Sequence, residues 1–244
     1  MKPIIGIIGP KKTNEERPFL NYIEFNKNIY KRISEVGGIP LGLIFPDEKF
    51  IKEEADLCDG FVIQGGVNVA SPAIDIIKYA FETKKPVLGI CLGMQTIAGY
   101  EWILTKLNNP SYKEIDDYYN KELESEFLHP VKDHNKMDPF YGKDIEKTKH
   151  EISLQDGIVK NMFGEIIKMP SLHNSKVDEK IIENSKNFKI TGRSDDGVIE
   201  VLESTDDNYW IVGVQFHPEL EKQNNKIFEE LIKKANLTKN KKNI

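Results

Sequence analysis

The stretch Gly89-Ile90-Cys91-Leu92-Gly93 places a cysteine between two glycines, where an apolar segment gives way to a helical one. Glycines two residues either side of a nucleophile permit the cramped strand-to-helix turn that projects its side chain outward. The N-terminus of a helix also favours a thiolate, because free N–H groups and the macrodipole stabilise negative charge there. The pattern predicts a nucleophilic Cys91. The alternative is a small buried cysteine in a glycine-rich turn.

A second stretch, Phe216-His217-Pro218-Glu219, follows another strongly apolar segment. A cysteine nucleophile needs an imidazole that takes its proton and later returns it to the leaving amine, and the imidazole needs a carboxylate to fix its tautomer. His217 and Glu219 could supply both groups. We therefore predict a Cys91-His217-Glu219 triad, against the alternative of a surface histidine beside an unrelated glutamate.

A third stretch, Gln64-Gly65-Gly66, comes directly after the apolar run Phe61-Val62-Ile63. Stabilising an oxyanion needs backbone N–H groups aimed at one point, and a glycine lets the backbone approach a substrate closely. The N–H groups of Gly66 and Leu92 are the predicted oxyanion hole. A plain turn at the two glycines is the alternative.

Alternating apolar runs and amphipathic stretches must position these residues. The predicted strands and helices alternate as far as the nucleophile: strands at 4–8, 41–45, 61–63 and 87–90, and helices at 22–33, 48–57 and from a Ser71 N-cap with Pro72. This order predicts an α/β fold with a mainly parallel central sheet and helices on both faces. Ligands of such sheets bind beyond the carboxyl ends of the strands.

The second half of the chain changes in character. Charged and amide residues dominate from about 108 to 149, which predicts an insertion or lid. Short strands are then expected at 166–169, 188–191, 198–202 and 210–216, and a last helix at 227–235. A basic C-terminal tail at about 236–244 is expected to be solvated and frayed. We predict a single domain over residues 1–244.

Composition limits the function classes. The net charge is −5, so there is no basic footprint for nucleic acid or an anionic membrane. No apolar run reaches the length of about 20 residues that a membrane helix needs. The two cysteines are too few for a disulfide framework, and we expect a cytoplasmic address. Without a Walker loop or a Rossmann glycine motif, no nucleotide cofactor is predicted.

Together the three stretches resemble the class I glutamine amidotransferase-like superfamily, whose members carry a cysteine in a Gly-x-Cys-x-Gly elbow and a later His-Pro-Glu. Matching segments occur in family order at 36–40, 59–66, 86–91, 196–200 and 213–219. The resemblance implies a flavodoxin-like α/β fold. The nearest branch is the γ-glutamyl hydrolases, similar to γ-glutamyl-γ-aminobutyrate hydrolase (peptidase C26), because the 36–40 and 196–200 segments are typical of it.

That branch implies a cysteine-dependent hydrolase that releases glutamate and an amine from a small γ-glutamyl compound, with no cofactor. The run from Cys91 to Gln95 also resembles the glutaminase domain of cytidine triphosphate synthase, which would place Gln95, with Gly65, beside the γ-glutamyl group. A glutaminase that supplies ammonia to a separate synthase partner is therefore an alternative. An inactive binding or regulatory relative is a second one, and a homodimer is left open.

The sequence also departs from the hydrolase branch. The charged stretch usual before the nucleophile strand is replaced by residues 69–73, and the Gly-Gly-Thr-Leu usual after the nucleophile helix is missing. The Asn-Ser-x-His-His-Gln stretch of the branch appears as Pro170-Ser171-Leu172-His173-Asn174-Ser175, which keeps the serine and the first histidine. The catalytic pattern is retained while the predicted substrate contacts diverge, so the amine is not transferred by analogy.

The remaining histidines complete the predicted site. The resemblance places Ser171 and His173 at the active-site mouth, and His150 is expected at the pocket rim. His129 and His134, with Asp133 and Asp138 nearby, have a loose metal-ligand spacing but no H-x-x-x-H pair. We therefore expect no metal site.

Overall fold

The computed structural model describes residues 1–13, 16, 21–45, 51–135 and 144–241. The strands are, in chain order, β1 (Ile4–Ile8), β2 (Lys11–Thr13), β3 (Asn21–Ile23), β4 (Ile39–Leu43), β5 (Gly60–Ile63), β6 (Val87–Ile90), β7 (Leu128–Pro130), β8 (Lys149–Leu154), β9 (Ile166–Pro170), β10 (Ser175–Val177), β11 (Phe188–Ser194), β12 (Ile199–Ser204) and β13 (Ile211–Val214). The α-helices are α1 (Lys27–Glu35), α2 (Ile51–Asp56), α3 (Ser71–Thr83), α4 (Leu92–Lys106), α5 (Tyr112–Tyr118), α6 (Ile158–Phe163), α7 (Glu179–Glu183) and α8 (Lys226–Lys241). Short 3-10 helices lie at Lys121–Glu126, Ile145–Thr148, Pro218–Leu220 and Lys222–Asn224.

Within the described residues, nine strands form one sheet in the order β4-β1-β5-β6-β13-β12-β11-β8-β9. The neighbouring strands from β4 to β13 are parallel, which confirms the predicted mainly parallel α/β architecture. The strands from β12 to β9 are added antiparallel to one another. β2 with β3, and β7 with β10, form separate two-stranded sheets.

The direction of the strands decides where their ends meet. The parallel strands all finish at one edge, which we call the carboxyl edge and define by Ile8, Leu43, Ile63, Ile90 and Val214. Antiparallel pairing brings the starts of β8 and β12 and the ends of β9 and β11 to this same edge. Loops from both halves of the sheet therefore converge there.

Helices cover both faces of the sheet because its parallel strands are apolar on both faces. One core packs α1 and α8 against the sheet through residues such as Ile29, Ile33 and Phe228. The other core packs α3 and α4 through residues such as Ile74 and Ile97. Each such side chain contributes about 1.5–3 kcal/mol on burial, so the sheet is held rigidly between two apolar layers.

Several local predictions were wrong in detail. The N-cap of α3 is Ala70, without a side-chain hydrogen bond, and Ser71 is already helical. The C-terminal tail is helical as far as Lys241, because α8 continues to that residue. Lys239 Nζ lies 2.9 Å from Asp59 Oδ2. Residues 242–244 of the predicted tail, 48–50 of the predicted second helix and 136–143 of the predicted insertion lie outside the described residues.

The charged segment at 108–149 is partly ordered into α5, β7 and two 3-10 helices. Ile115 and Phe127 are fully buried in the core that α3 and α4 share. The part of the segment that is described therefore packs on the domain, and its closure as a lid stays a prediction. No helix in the described part of the chain combines the length and the apolarity needed to cross a membrane.

Candidate active site

Cys91 lies at the carboxyl edge, between the last residue of β6 and the first of α4. Its backbone has φ 52° and ψ −103°, a conformation that L-residues rarely adopt. The glycines around it have no room for a side chain: a Cβ on Gly89 would fall 2.5 Å from Gly93 O, and one on Gly93 would fall 2.1 Å from Ile63 O. The two glycines thus let α4 approach the sheet closely enough to form the sharp turn.

His217 follows β13, the strand next to β6. Cys91 N–H donates to Val214 O at 2.7 Å, which ties the cysteine turn to the strand that leads into His217. His217 Nδ1 lies 2.8 Å from Glu219 Oε1. Because a carboxylate only accepts, Nδ1 carries the hydrogen and Nε2 is left as the basic nitrogen.

The charge on His217 depends on its neighbours. Burial alone would lower its pKa, but the negative charges of Glu219 and Cys91 and a hydrogen bond with Cys91 raise the pKa well above its usual 6.5. The raised pKa favours the protonated imidazole beside the sulfur. A protonated imidazole at this place would stabilise a thiolate and supply a proton for a leaving group.

Glu219 is held by two polar residues that the sequence analysis missed, Asn26 at its carboxylate and Arg32 at its backbone carbonyl. Asn26 Nδ2 donates to Glu219 Oε1 at 3.2 Å, and Arg32 Nε donates to Glu219 O at 3.1 Å. Gln64 in turn accepts from Asn26 N–H at 3.0 Å. Asn26 is also the N-cap of α1, so the start of that helix is fixed to the predicted triad.

The predicted oxyanion residues lie beside the cysteine. Leu92 begins α4, so its N–H has no carbonyl partner inside that helix. A Cβ on Gly66 would fall 2.9 Å from Leu92 Cδ2, and one on Gly65 would fall 3.0 Å from His217 Cε1 and 3.4 Å from Cys91 Cβ. Gly65 thus keeps the space next to the sulfur and the imidazole free of a side chain.

The predicted substrate-binding residues divide into two groups. Gln95 stands one turn after Cys91 on α4, and its amide donates to Ser175 O and to Gln215 Oε1, each at 3.2 Å. His150 and His173 are instead gathered around Glu200, and Ser171 Oγ donates to His134 O at 2.7 Å. Gly65 and Gln95 are therefore placed near Cys91, whereas the other three belong to a separate buried cluster.

A cavity of about 520 Å³ opens at the carboxyl edge on the far side of Leu92. Its walls are polar and apolar in about equal parts and come from the ends of β1, β4 and β5 and from α3 and α4; they include Ile8, Pro10, Gln64, Ala70 and Thr96. Leu92 and Gln64 connect it to the neighbourhood of the predicted triad. Its volume is in the range of small-molecule pockets.

The loose metal-ligand set suggested by sequence does not assemble. His129 Nε2 lies 3.2 Å from Asp178 Oδ2, whereas His134 joins the cluster around Glu200. Asp138 lies outside the described residues. The sequence analysis missed Glu200 because it weighed His134 only with its neighbours along the chain.

The family model for glutamine amidotransferase class-I matches residues 20–234. The chain belongs to this family. The match confirms the predicted superfamily, while the γ-glutamyl hydrolase branch stays a prediction. As a class-I glutamine amidotransferase domain, the chain places its elbow cysteine and its His-x-Glu at adjacent strand ends.

Known relatives of this glutamine amidotransferase domain differ in length. It is 25% identical to a glutamine amidotransferase-like protein of Rickettsia prowazekii, with 95% of this chain and 97% of the relative covered. It is 29% identical to CTP synthase 1 of Danio rerio over 66% of this chain, but spans only 28% of that synthase. The glutaminase domain of a Trypanosoma brucei CTP synthase, solved with bound acivicin, has the same fold: TM-score 0.64, 15% identity, covering 96% of this chain and 93% of that one.

Proposed function

We propose that this class-I glutamine amidotransferase domain is a cysteine hydrolase that cleaves the γ-glutamyl amide bond of a small compound, releasing glutamate and an amine. The observation that carries the proposal is the paired geometry at two adjacent strand ends. Cys91 occupies a strained turn at a helix N-terminus, and His217 is held by Glu219 at 2.8 Å. A surface histidine whose ring nitrogens hydrogen-bond to solvent would need neither the strained cysteine turn nor the glutamate.

The proposed reaction has two steps. The Cys91 thiolate attacks the γ-carbonyl carbon, the tetrahedral intermediate collapses, and His217 protonates the departing amine. Neutral His217 then takes a proton from water, whose oxygen attacks the thioester and releases glutamate and the thiolate. Glu219 stays ionised and fixes the tautomer of His217 throughout. The N–H groups of Gly66 and Leu92 would hold the oxyanion in both steps.

The substrate side of the proposal rests on Gly65 and Gln95. Gly65 leaves the space beside Cys91 open, and Gln95 is fixed one turn further along the same helix. Ser171, His173 and His150 would act indirectly, because their polar atoms already contact the cluster around Glu200. We propose that they shape the loops at the mouth.

The direct test is a panel of γ-glutamyl amines, with free glutamate as the readout. The purified chain should release glutamate from at least one compound without a partner, and Cys91→Ala should not. Equal release by Cys91→Ala would refute the assignment of the nucleophile.

A glutaminase that feeds ammonia to a separate synthase is the second candidate. It is favoured by the similarity to CTP synthases. This chain spans only 28% of the Danio rerio synthase and 32% of the Methanopyrus kandleri synthase. It predicts that the chain hydrolyses glutamine slowly alone and faster with a synthase. Full activity on another γ-glutamyl amine, in the absence of any partner, favours the hydrolase.

An inactive relative is distinguished by covalent labelling. Acivicin, which is bound in the Trypanosoma brucei glutaminase domain, is a suitable electrophile. One equivalent of label on Cys91, seen by mass spectrometry of a protease digest, supports an active site. An unlabelled Cys91 at saturating reagent supports a binding or regulatory role.

A further inference from the structure

A buried cluster of three histidines and a glutamate lies at the carboxyl edge, in the antiparallel half of the sheet. His150 is the second residue of β8, Glu200 is the second residue of β12, and His173 follows β9. His134 joins them through the bridge between Asn135 and Leu172. The side chains of Glu200 and His173 are 0% and 1% exposed, and those of His134 and His150 are 5% and 12% exposed. Solvent therefore does little to satisfy their polar atoms.

Hydrogen bonds on the outside of the cluster fix the tautomers of two histidines. His173 Nδ1 lies 2.9 Å from Ser175 O, and His134 Nε2 lies 3.0 Å from Asp196 Oδ2. Both partners only accept, so these two nitrogens carry hydrogens. In their neutral forms His134 Nδ1 and His173 Nε2 then present lone pairs to each other at 3.1 Å. Two facing acceptors at this distance need either an added proton on one ring or a metal ion beside them.

Glu200 adds negative charge at the same point. Its Oε1 lies 3.3 Å from His173 Nε2 and 3.5 Å from both His134 Nδ1 and His150 Nε2. These contacts are long for hydrogen bonds, and neither the oxygens of Glu200 nor Nε2 of His150 have a well-aligned partner among the described residues. A buried carboxylate without hydrogen bonds is costly unless another cation compensates it.

Three of these residues converge closely enough to share a metal ion. Ligand bonds of about 2.0–2.1 Å place neighbouring donor atoms of a tetrahedral site about 3.3–3.4 Å apart. Glu200 Oε1 lies 3.5 Å from both His134 Nδ1 and His150 Nε2, close to that spacing. The donor atoms of His134, His150 and Glu200 all lie within 4.8 Å of one another, a set that does not include His173. We propose that His134, His150 and Glu200 bind one divalent transition-metal ion beside the His173 ring, with zinc as the best match to the donor set.

The chemistry of the donors limits the ion. Imidazole nitrogens with one carboxylate and no thiolate suit zinc and its neighbours in the first transition series better than calcium or magnesium, which prefer oxygen ligands. The contact of His134 Nε2 with Asp196 is the outer carboxylate that commonly orients a metal-binding histidine. Asp196 also lines a surface cavity of about 640 Å³, which gives solvent a path to the outer side of the cluster.

The ion would have a structural role. The ligand side chains are only 0–12% exposed, so a substrate has no access to the fourth tetrahedral position. The ligands come from β8, β12 and the segment after β7, which meet at the carboxyl edge. Ser175 O links the adjacent His173 to Gln95 on the cysteine helix. Metal binding would therefore hold the antiparallel loops in a fixed position next to the predicted triad.

Metal binding can be tested independently of turnover. The Cys91→Ala chain removes the elbow thiolate as a competing ligand. After treatment with a chelator it should bind one equivalent of Co²⁺, with the intense visible absorption of four-coordinate cobalt. Zn²⁺ should displace the Co²⁺ and raise the Tm. In the same background, Glu200→Gln and His134→Ala should lose binding, while His129→Ala, which alters an exposed histidine outside the cluster, should keep it.

A milder variant protects the test against misfolding. Asp196→Asn changes a side chain that is 58% exposed and should weaken Co²⁺ binding about 10- to 100-fold while the fold is kept. Less than half an equivalent of bound Co²⁺ in the parent chain would overturn the proposal, as would full binding by both Glu200→Gln and His134→Ala. In those cases a proton on His134 compensates Glu200 instead. Neither result bears on whether Cys91 turns over a γ-glutamyl amide.

Discussion

Two histidine–carboxylate groups lie along the same edge of the sheet, and they are built differently. Glu219 makes one directed hydrogen bond to His217, at 2.8 Å, and that histidine faces a sulfur in an open turn. Glu200 faces three imidazoles at 3.3–3.5 Å and makes no well-aligned hydrogen bond to any of them. A carboxylate that orients one histidine suits proton transfer, whereas a carboxylate at the centre of converging donors suits a bound cation.

The largest effect expected from this comparison is on Cys91. Cys91→Ala removes the only group at the edge that we propose as a nucleophile, so turnover should fall by about 10⁴-fold or more. The Tm and the Co²⁺ binding of the histidine cluster should stay unchanged, because Cys91 contacts neither Glu200 nor its histidines in the described structure. Steady-state glutamate release and a parallel metal titration measure both. Loss of metal binding in this variant would merge the two groups into one site.

Glu219→Gln should have the next largest effect, about 10²- to 10⁴-fold on kcat/KM, because the neutral amide no longer fixes the charged histidine. The negative Glu219 is a main cause of the raised pKa of His217, against the lowering effect of burial. Because the pKa is raised, the imidazolium persists above pH 6.5. It is lost as the pH rises through the shifted pKa. The alkaline limb of the pH profile should therefore move to lower pH in the variant.

Glu200, the carboxylate of the second histidine group, is the control for that experiment. Glu200→Gln should leave the position of the alkaline limb as it is in the parent chain, since Glu200 is not among the main groups that shift the pKa of His217. A similar shift in both variants would show that the two carboxylates act on the same histidine. Profiles of kcat/KM against pH for the three chains, each checked for folding by circular dichroism, decide between these outcomes.

Asn26→Ala should give a smaller loss, about 10- to 100-fold, through the placement of Glu219. The amide of Asn26 donates to Glu219 Oε1 at 3.2 Å and does not contact Cys91 in the described structure. Because Asn26 also caps α1, loss of the cap is expected to cost about 1 kcal/mol of stability. Asn26→Ser keeps a capping side chain but lacks the amide that reaches Glu219, so an equal loss of kcat in both variants indicates positioning. A Tm change without a kcat change would contradict it.

Sequence reasoning anticipated local geometry where its cause lies in neighbouring residues. The glycines at 89 and 93 are needed for a close approach within one turn, and His217 and Glu219 lie within a single loop. α5 also had a local signal that we did not use, the capping box between Ser111 and Glu114. These features were open to prediction because their physical cause is contained in a few consecutive residues.

Sequence reasoning failed where contacts join distant parts of the chain. Asn26 and Glu219 are 193 residues apart, and no local pattern marks the hydrogen bond between them. The cluster around Glu200 gathers residues from four separate elements, and only the antiparallel register of β8 to β12 brings them to one edge. The directions of these strands must be known before one can see that the starts of some and the ends of others meet at that edge.

The smallest effect is expected at the other cysteine. Cys58 is buried against β1, and a Cβ on Gly6 would fall 2.9 Å from its sulfur. Burial raises the pKa of the Cys58 thiol to about 12. A thiol with this pKa is unreactive at neutral pH, and it lies at the start of β5, the end opposite the carboxyl edge. Cys58→Ala should keep kcat/KM within about twofold and lose about 1–2 kcal/mol of stability, as expected for a small buried side chain. Acivicin should label this variant as fast as the parent chain. Label on Cys58 in the parent would instead show that sulfur reactivity in this domain does not require the elbow, the histidine or its carboxylate.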